Sequence, residues 1–288
     1  MKDSLLTGAN KKEILKAIAA KKYPQLIPIL EKVKTSHAGT AKTKDKRFVI
    51  SEIVKNITEA SGNREKDFFK AGELFCKRKE DVSKEIGISL IWRGYEHDPG
   101  KVKDYLLKIA DDPNWEVREY AGGAFSNTLL HNPGFYETVM EWTKHPSENV
   151  RRAVVFATLG LRQKENLVKA FSLLEPMLYD KSKYVKKNLG PFILGSYFGN
   201  KFPKETFSQL IQWAKIRDEN VRWNIIMSFN NSFGNKYPYE ALEVLKMFAG
   251  DADLVVKRAL LSTLRSLSKR HSLFVEKFIR KHKSIETI

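Results

Sequence analysis

Five valines limit what this chain can fold into. Val117, Val150, Val185, Val221 and Val256 recur at spacings of 33, 35, 36 and 35 residues. Each is followed at once by a cation: Arg118, Arg151, Lys186, Arg222 and Lys257. A period of this length holds two helices and their turns. Between successive copies lies a second apolar stretch, at 135–142, 167–178, 207–213 and 241–248, with hydrophobic residues at three- and four-residue spacing. Strand-like alternation is almost absent.

A single helix pair cannot bury its apolar face alone, so such units have to stack against one another. The expected fold is all-α, a HEAT-like α-solenoid of antiparallel helix pairs forming an ARM-type superhelix. Earlier in the chain, Ile14, Leu15 and Ile18 mark a first helix and residues 26–33 a second, after Pro24. Residues 35–46, TSHAGTAKTKDK, are polar, small and basic, and read as a mobile connection with solvated lysines. Two amphipathic helices follow, around residues 48–57 and 68–75, and a more continuously apolar one ends at the turn His97-Asp98-Pro99-Gly100, with Trp92 in the core. Residues 1–60 are expected to cap an array spanning 61–288, the whole forming one continuous domain.

Lys and Arg number 51 against 34 Asp and Glu, a formal charge of +17. Charge of that size attracts a polyanion and makes the attraction salt-dependent, so nucleic acid is the leading partner, with a merely solubilising surface as the alternative. Residues 257–283 carry nine Lys or Arg and one acid, Glu276. Phosphate contact and the polar outer face of a terminal repeat both account for that run. The single cysteine, Cys76, rules out an intrachain disulfide and a multi-cysteine metal site. The six histidines are scattered without metal-ligand spacing, and no P-loop or dinucleotide fingerprint occurs. No metal, cofactor or nucleotide is therefore expected. The N-terminus lacks the apolar run of a signal peptide, and no stretch is apolar enough to span a membrane. A cytoplasmic monomer is the expectation.

The stretch Asp112-Pro113-Asn114-Trp115-Glu116-Val117-Arg118-Glu119 combines a helix start with a chemical pair. Asn114 and its neighbours supply cap chemistry, and Glu116 and Glu119 suit the positive end of a helix beginning near Trp115. Residues four apart share a face, so Trp115 and Glu119 present an indole and a carboxylate together. Stacking places equivalent positions in rows. Two places after each valine stand Glu119, Arg152, Lys187, Trp223 and Arg258, a cationic track with one carboxylate and one aromatic set into it. The cation directly after each valine also has a structural reading, as an inter-repeat bond. Trp142 and Trp213 fall on intervening helices and are expected in the core, while Trp223 is open to packing or to stacking on bases.

The segments DPNWEVREYAGGAF, PSENVRRAVVFATL, DKSKYVKKNLGPFILGSYFGNKFP and DENVRWNIIMSFNN together resemble the HEAT-like DNA alkylation repair family, the alkylpurine DNA glycosylases, over about residues 65 to 270. The resemblance implies a basic concave groove on alkylated duplex DNA and a bacterial-type intracellular protein associated with the nucleoid. It implies excision of cationic N3- or N7-alkylated purines by Glu119 as catalytic carboxylate, Trp115 against the substrate and Arg152 on a phosphate or positioning the site. Arg118, Arg151, Lys186, Lys187, Phe192, Arg222, Trp223, Lys257 and Arg258 would contact DNA. Two positions depart from the pattern: Glu119 stands in place of the shorter aspartate, and Gly190-Pro191-Phe192 stands where a tryptophan is found. Pro191 should bend or end its helix. A non-catalytic binder of damaged or branched DNA and a protein-binding HEAT scaffold are the alternatives.

Overall fold

The computed structural model describes residues 4–60 and 62–282. Among them there is no strand, only an isolated antiparallel bridge between Lys34 and Ala41. No helix of the described residues is long and apolar enough to cross a membrane. Two compact units meet at Trp142 and Thr143, so residues 4–60 belong to the first unit together with the helices that follow them.

The first unit runs through α1 (Gly8–Ala19), α2 (Leu26–Glu31), α3 (Thr43–Glu59), α4 (Arg64–Cys76), α5 (Asp81–Ile91), α6 (Pro99–Ala110), α7 (Trp115–His131) and α8 (Phe135–Trp142). Helices α4 and α5 approach closely. A Cβ on Gly87 would lie 2.6 Å from the backbone nitrogen of Cys76, so only glycine allows that contact. The second unit contains α9 (Glu148–Ala157), α10 (Leu167–Leu174), α11 (Lys183–Asn188), α12 (Pro203–Trp213), α13 (Glu219–Met227), α14 (Ser232–Lys236), α15 (Pro238–Leu245) and α16 (Leu254–Lys281).

The valine row is a row of core residues. Val117, Val150, Val185, Val221 and Val256 are all fully buried, and each sits in the first turn of its helix, in α7, α9, α11, α13 and α16. The caps repeat with them. Asn114, Ser147, Ser182, Asp218 and Asp253 each accept a backbone N–H from the first turn that follows, an interaction whose removal costs about 1 kcal/mol. The pattern extends one copy further towards the N-terminus than the valine–cation pairs suggest. Val82 lies 35 residues before Val117, is equally buried and opens α5, but Ser83 follows it. Ser83 is buried and donates to the carbonyl of Phe75, so no cation fits there. Trp92, Trp142 and Trp213 are buried.

Residues 35–46 are not an open, solvated connection. Thr40, Ala41, Asp45 and Lys46 are buried, and α3 already begins at Thr43. Lys46 is enclosed because its ammonium meets Glu85 at 2.9 Å and Glu116 at 2.7 Å, while Asp45 is held by Ser4 and by the backbone N–H of Leu5 at 3.1 Å. At Pro191 the α-helical pitch stops at Asn188 and continues as a wider π-helical segment, Leu189–Gly199. Proline has no N–H for the regular ladder, and its own carbonyl accepts from Asn231 Nδ2 at 2.8 Å and Ser196 Oγ at 3.2 Å.

Candidate functional site

The first turn of α7 is built to hold an open aromatic next to a carboxylate. Asn114 caps the helix and also donates to the carbonyl of Ala38 at 2.9 Å and to Asp81 at 2.8 Å. The turn before α7 is thereby tied to the start of α5 and to the 34–41 segment. Lys84 of α5 reinforces this, bonding Asp81 at 3.0 Å and Asp112 at 2.8 Å. Glu116 points to Lys46 of α3. The residues on either side of these anchors, Trp115 and Glu119, remain exposed, Trp115 by 43%.

Both line a cleft of about 500 Å3 within the first unit. Its walls are α7, with Trp115, Glu116, Glu119, Tyr120 and Asn127, the end of α5, with Ser89, Trp92 and Arg93, and the N-terminal segment, with His37, Thr43, Arg47 and Ile50. His37 meets the Trp115 ring edge-on, centroids 5.3 Å apart. That contact covers one part of the indole and steadies its orientation. Trp92 is stacked at 5.2 Å with His131 and carries the Arg93 guanidinium 4.2 Å from its ring centroid. Both partners of Trp92 belong to the protein, whereas Trp115 keeps exposed surface.

Behind the cleft lies a buried charge cluster. Lys46 bridges Glu85 and Glu116 and stands 4.7 Å from the centre of the Tyr120 ring. Glu85 also accepts from Thr40 at 2.7 Å. Burial pushes the Glu85 carboxyl up to about 7, against the pull of Lys46 and the hydrogen bond from Thr40. The Tyr120 hydroxyl is likewise raised by burial and by the Glu85 and Glu116 charges. Lys46 and Glu85 are fully buried, while Glu116 and Tyr120 reach the cleft wall, so the cluster fixes the α3 and α7 backbone on which the cleft residues stand.

In the second unit the first turns of the repeat helices are largely occupied by their neighbours. Arg151 pairs with Asp180 at 2.6 Å and donates to the carbonyls of His145 and Pro146. Arg222 pairs with Asp251 at 2.5 Å. Lys186, buried, donates to Asn220 at 2.8 Å and lies 4.6 Å from the Trp223 ring centroid. Its pKa is lowered by burial, against nearby carboxylates. These three cations join one repeat to the next. Arg118 of the first unit similarly donates to the carbonyls of Asp112 and Pro113.

Arg152 is 4% exposed, its guanidinium 4.7 Å from the Phe156 ring and 4.8 Å from the Tyr184 ring. Phe192, on the π-helical segment, is 45% exposed and packs beside Phe156 at 5.8 Å. Lys187 and Arg258 are exposed, and Lys257 and Trp223 are half-buried. Of the terminal basic run, Lys283 lies outside the described residues. Trp115 and Glu119 are thus the predicted site residues that share a cleft. Arg47, Arg93 and His37 line it without any signal in the repeat pattern, since they stand outside the valine register. Among the described residues no group of three or more His, Cys, Asp or Glu is arranged to hold a metal ion.

The sequence pattern of a family described as DNA alkylation repair enzyme matches residues 49–194, half of the chain, including α7 and the first part of the π-helical segment, to Leu194. No curated protein matches. Among solved structures, the chain is similar to a designed armadillo repeat protein, YIII(Dq.V1)4CPAF in complex with peptide (KR)4, at 15% identity and a TM-score of 0.34, covering 88% of this chain and 98% of that one. It is also similar to the designed armadillo repeat protein YIII(Dq)4CqI, at 18% identity and a TM-score of 0.28, covering 74% and 98%.

Proposed function

The chain belongs to the DNA alkylation repair enzyme family, and from that premise we propose that it is a glycosylase releasing cationic N3- or N7-alkylated purines from duplex DNA. The observation that carries this reading is the exposed Trp115 and the exposed Glu119, one turn apart on α7 and facing the same cleft. Alkylation places positive charge on the purine ring. As the C1′–N bond breaks, its electron pair moves into the base, which leaves neutral, and the sugar acquires oxocarbenium character. Glu119 stabilises that developing charge and orients the water whose oxygen bonds to C1′; the proton of that water passes to the carboxylate or to solvent. Preorganised charge of this kind is commonly the largest contribution to catalysis. The Trp115 face attracts the cationic base by about 0.5 to 2 kcal/mol over a neutral purine, which favours the lesion.

Exposed Lys187, Arg258 and Phe192 are the proposed DNA contacts of the second unit, with Trp223, Lys257 and Arg152 in supporting positions. The test is release of free base from duplex DNA containing N7-methylguanine or N3-methyladenine, against a protein-free control for spontaneous depurination. Release well above the control is expected, and Glu119→Gln should remove it while sparing DNA binding. A second reading, a DNA binder without excision, is favoured by Phe192 in the place of a tryptophan. Salt-sensitive DNA binding with no base release would establish that second reading instead.

A further inference from the structure

Nearly every buried cation of the first unit has a carboxylate: Lys46 has Glu85 and Glu116, and Lys84 has Asp81 and Asp112. Arg93 does not. Its guanidinium is half-buried between Trp92, 4.2 Å from the ring centroid, and Phe68, 5.7 Å away, and its hydrogen bond goes to the carbonyl of Ser89. Among the described residues no carboxylate lies within ion-pair distance of it. Burial alone lowers its pKa to about 10. A guanidinium has five N–H donors in a fixed fork, and the bond to Ser89 uses only part of that capacity. Aromatic faces accept part of the charge and leave the fork itself open.

A second arginine faces the same space. Arg47 is exposed, and among the described residues it too has no carboxylate at ion-pair distance. It follows Lys46 directly, so the buried Lys46 bridge fixes where Arg47 emerges from α3. Arg47 and Arg93 line the Trp115–Glu119 cleft and also an adjoining cleft of about 550 Å3 that includes Ile50, Ser51, Lys55 and Glu59. They therefore stand at the junction of the two. Glu59 is the one acid lining the adjoining cleft, and on the first side Glu116 is engaged by Lys46 while Glu119 is the carboxylate assigned above to the sugar.

We propose that Arg93 and Arg47 together hold a DNA backbone phosphate at this junction, next to the nucleotide engaged by Trp115 and Glu119. Guanidinium forks match phosphate oxygens with paired hydrogen bonds, and a phosphodiester can lie across the junction while its neighbouring nucleotide enters the first cleft. Position comes from this contact and chemistry from Glu119. The inference rests on the reading of the first cleft as the lesion site.

Binding of the full-length protein to a lesion-containing duplex, measured over a series of KCl concentrations, tests it. The double variant R47Q/R93Q should flatten the slope of log K against log salt by about 0.9, the value of one phosphate contact. Each single variant should lose no more than that, because both arginines hold the same group. Replacing the phosphate beside the lesion with a neutral methylphosphonate should weaken the wild-type protein and leave the double variant unaffected. An unchanged slope and a methylphosphonate effect that persists in the double variant would overturn the proposal, as would failure of the wild-type protein to bind DNA. If R93Q fails to fold, the exposed R47Q carries the same two readouts. Wild-type protein that shows the phosphate effect but releases no base would retain the phosphate site and reject the glycosylase.

Discussion

The first turn of α7 and the first turn of α13 start from the same plan and end with opposite uses. Both have a capped start, with Asn114 or Asp218, a buried valine in the first turn and a cation after it. In α13 the cation, Arg222, is tied to Asp251, and the residue after it, Trp223, is met by Lys186. In α7 Arg118 donates to the carbonyls of Asp112 and Pro113, much as Arg222 donates to that of Asp218, and the difference lies in Glu116, which takes the buried partner Lys46. Trp115 and Glu119 are left on a cleft. The difference comes from a neighbouring segment: Lys46 of α3 takes Glu116 as its partner, and the exposed residues on either side of it line the cleft.

The largest way to break this contrast is to remove the segment's anchor. Lys46→Met leaves Glu85 and Glu116 without their shared cation, and loss of one member of a buried ionic cluster costs about 3 to 5 kcal/mol. Chemical denaturation should register that loss, and a change near zero would mean that the cluster does not hold the cleft together. Next in size is Glu119→Gln, expected to lower single-turnover base release by roughly 100- to 1000-fold with an unchanged melting temperature. Equal loss of binding and release would assign Glu119 to DNA contact alone.

Acidity should sharpen the comparison, because only the first unit has the Glu85 cluster. The Glu85 carboxyl is raised from 4.5 to about 7 when folded, so the folded protein holds this proton more tightly than the unfolded chain. Its stabilising contribution is complete below about pH 4.5 and is lost as pH rises through 7. Thermal midpoints measured from pH 5 to 8 should therefore decline, and Glu85→Gln should flatten the decline. The smallest effect is expected at Arg222→Ala, on the order of 1 to 2 kcal/mol for a half-buried pair. Its salt dependence of DNA binding should match that of the wild type. A flatter slope would show that Arg222 contacts phosphate in addition to Asp251.

Periodic features were legible because they depend on neighbours along the chain. The buried valines, the caps and the paired helices follow from residue types at fixed spacing, as does the shared face of Trp115 and Glu119. Pro191 was legible as an interruption, but the π-helical turn that accommodates it depends on Asn231, forty residues away. Val82 falls outside the valine–cation pattern because a serine packs where the other copies carry a cation. Lys46 is hidden in the sequence for a stronger reason. Within TSHAGTAKTKDK nothing distinguishes it from Lys42 or Lys44, and it is buried only because Glu85 and Glu116 converge on it from two other helices.

Composition and period, then, determined that this chain is a stack of helix pairs with a basic surface, because helical spacing and net charge are properties of the chain itself. Which cations bind neighbours and which face a cleft was decided by tertiary structure. A lysine and an arginine side by side, Lys46 and Arg47, end in opposite environments according to which carboxylates the folded chain brings within reach.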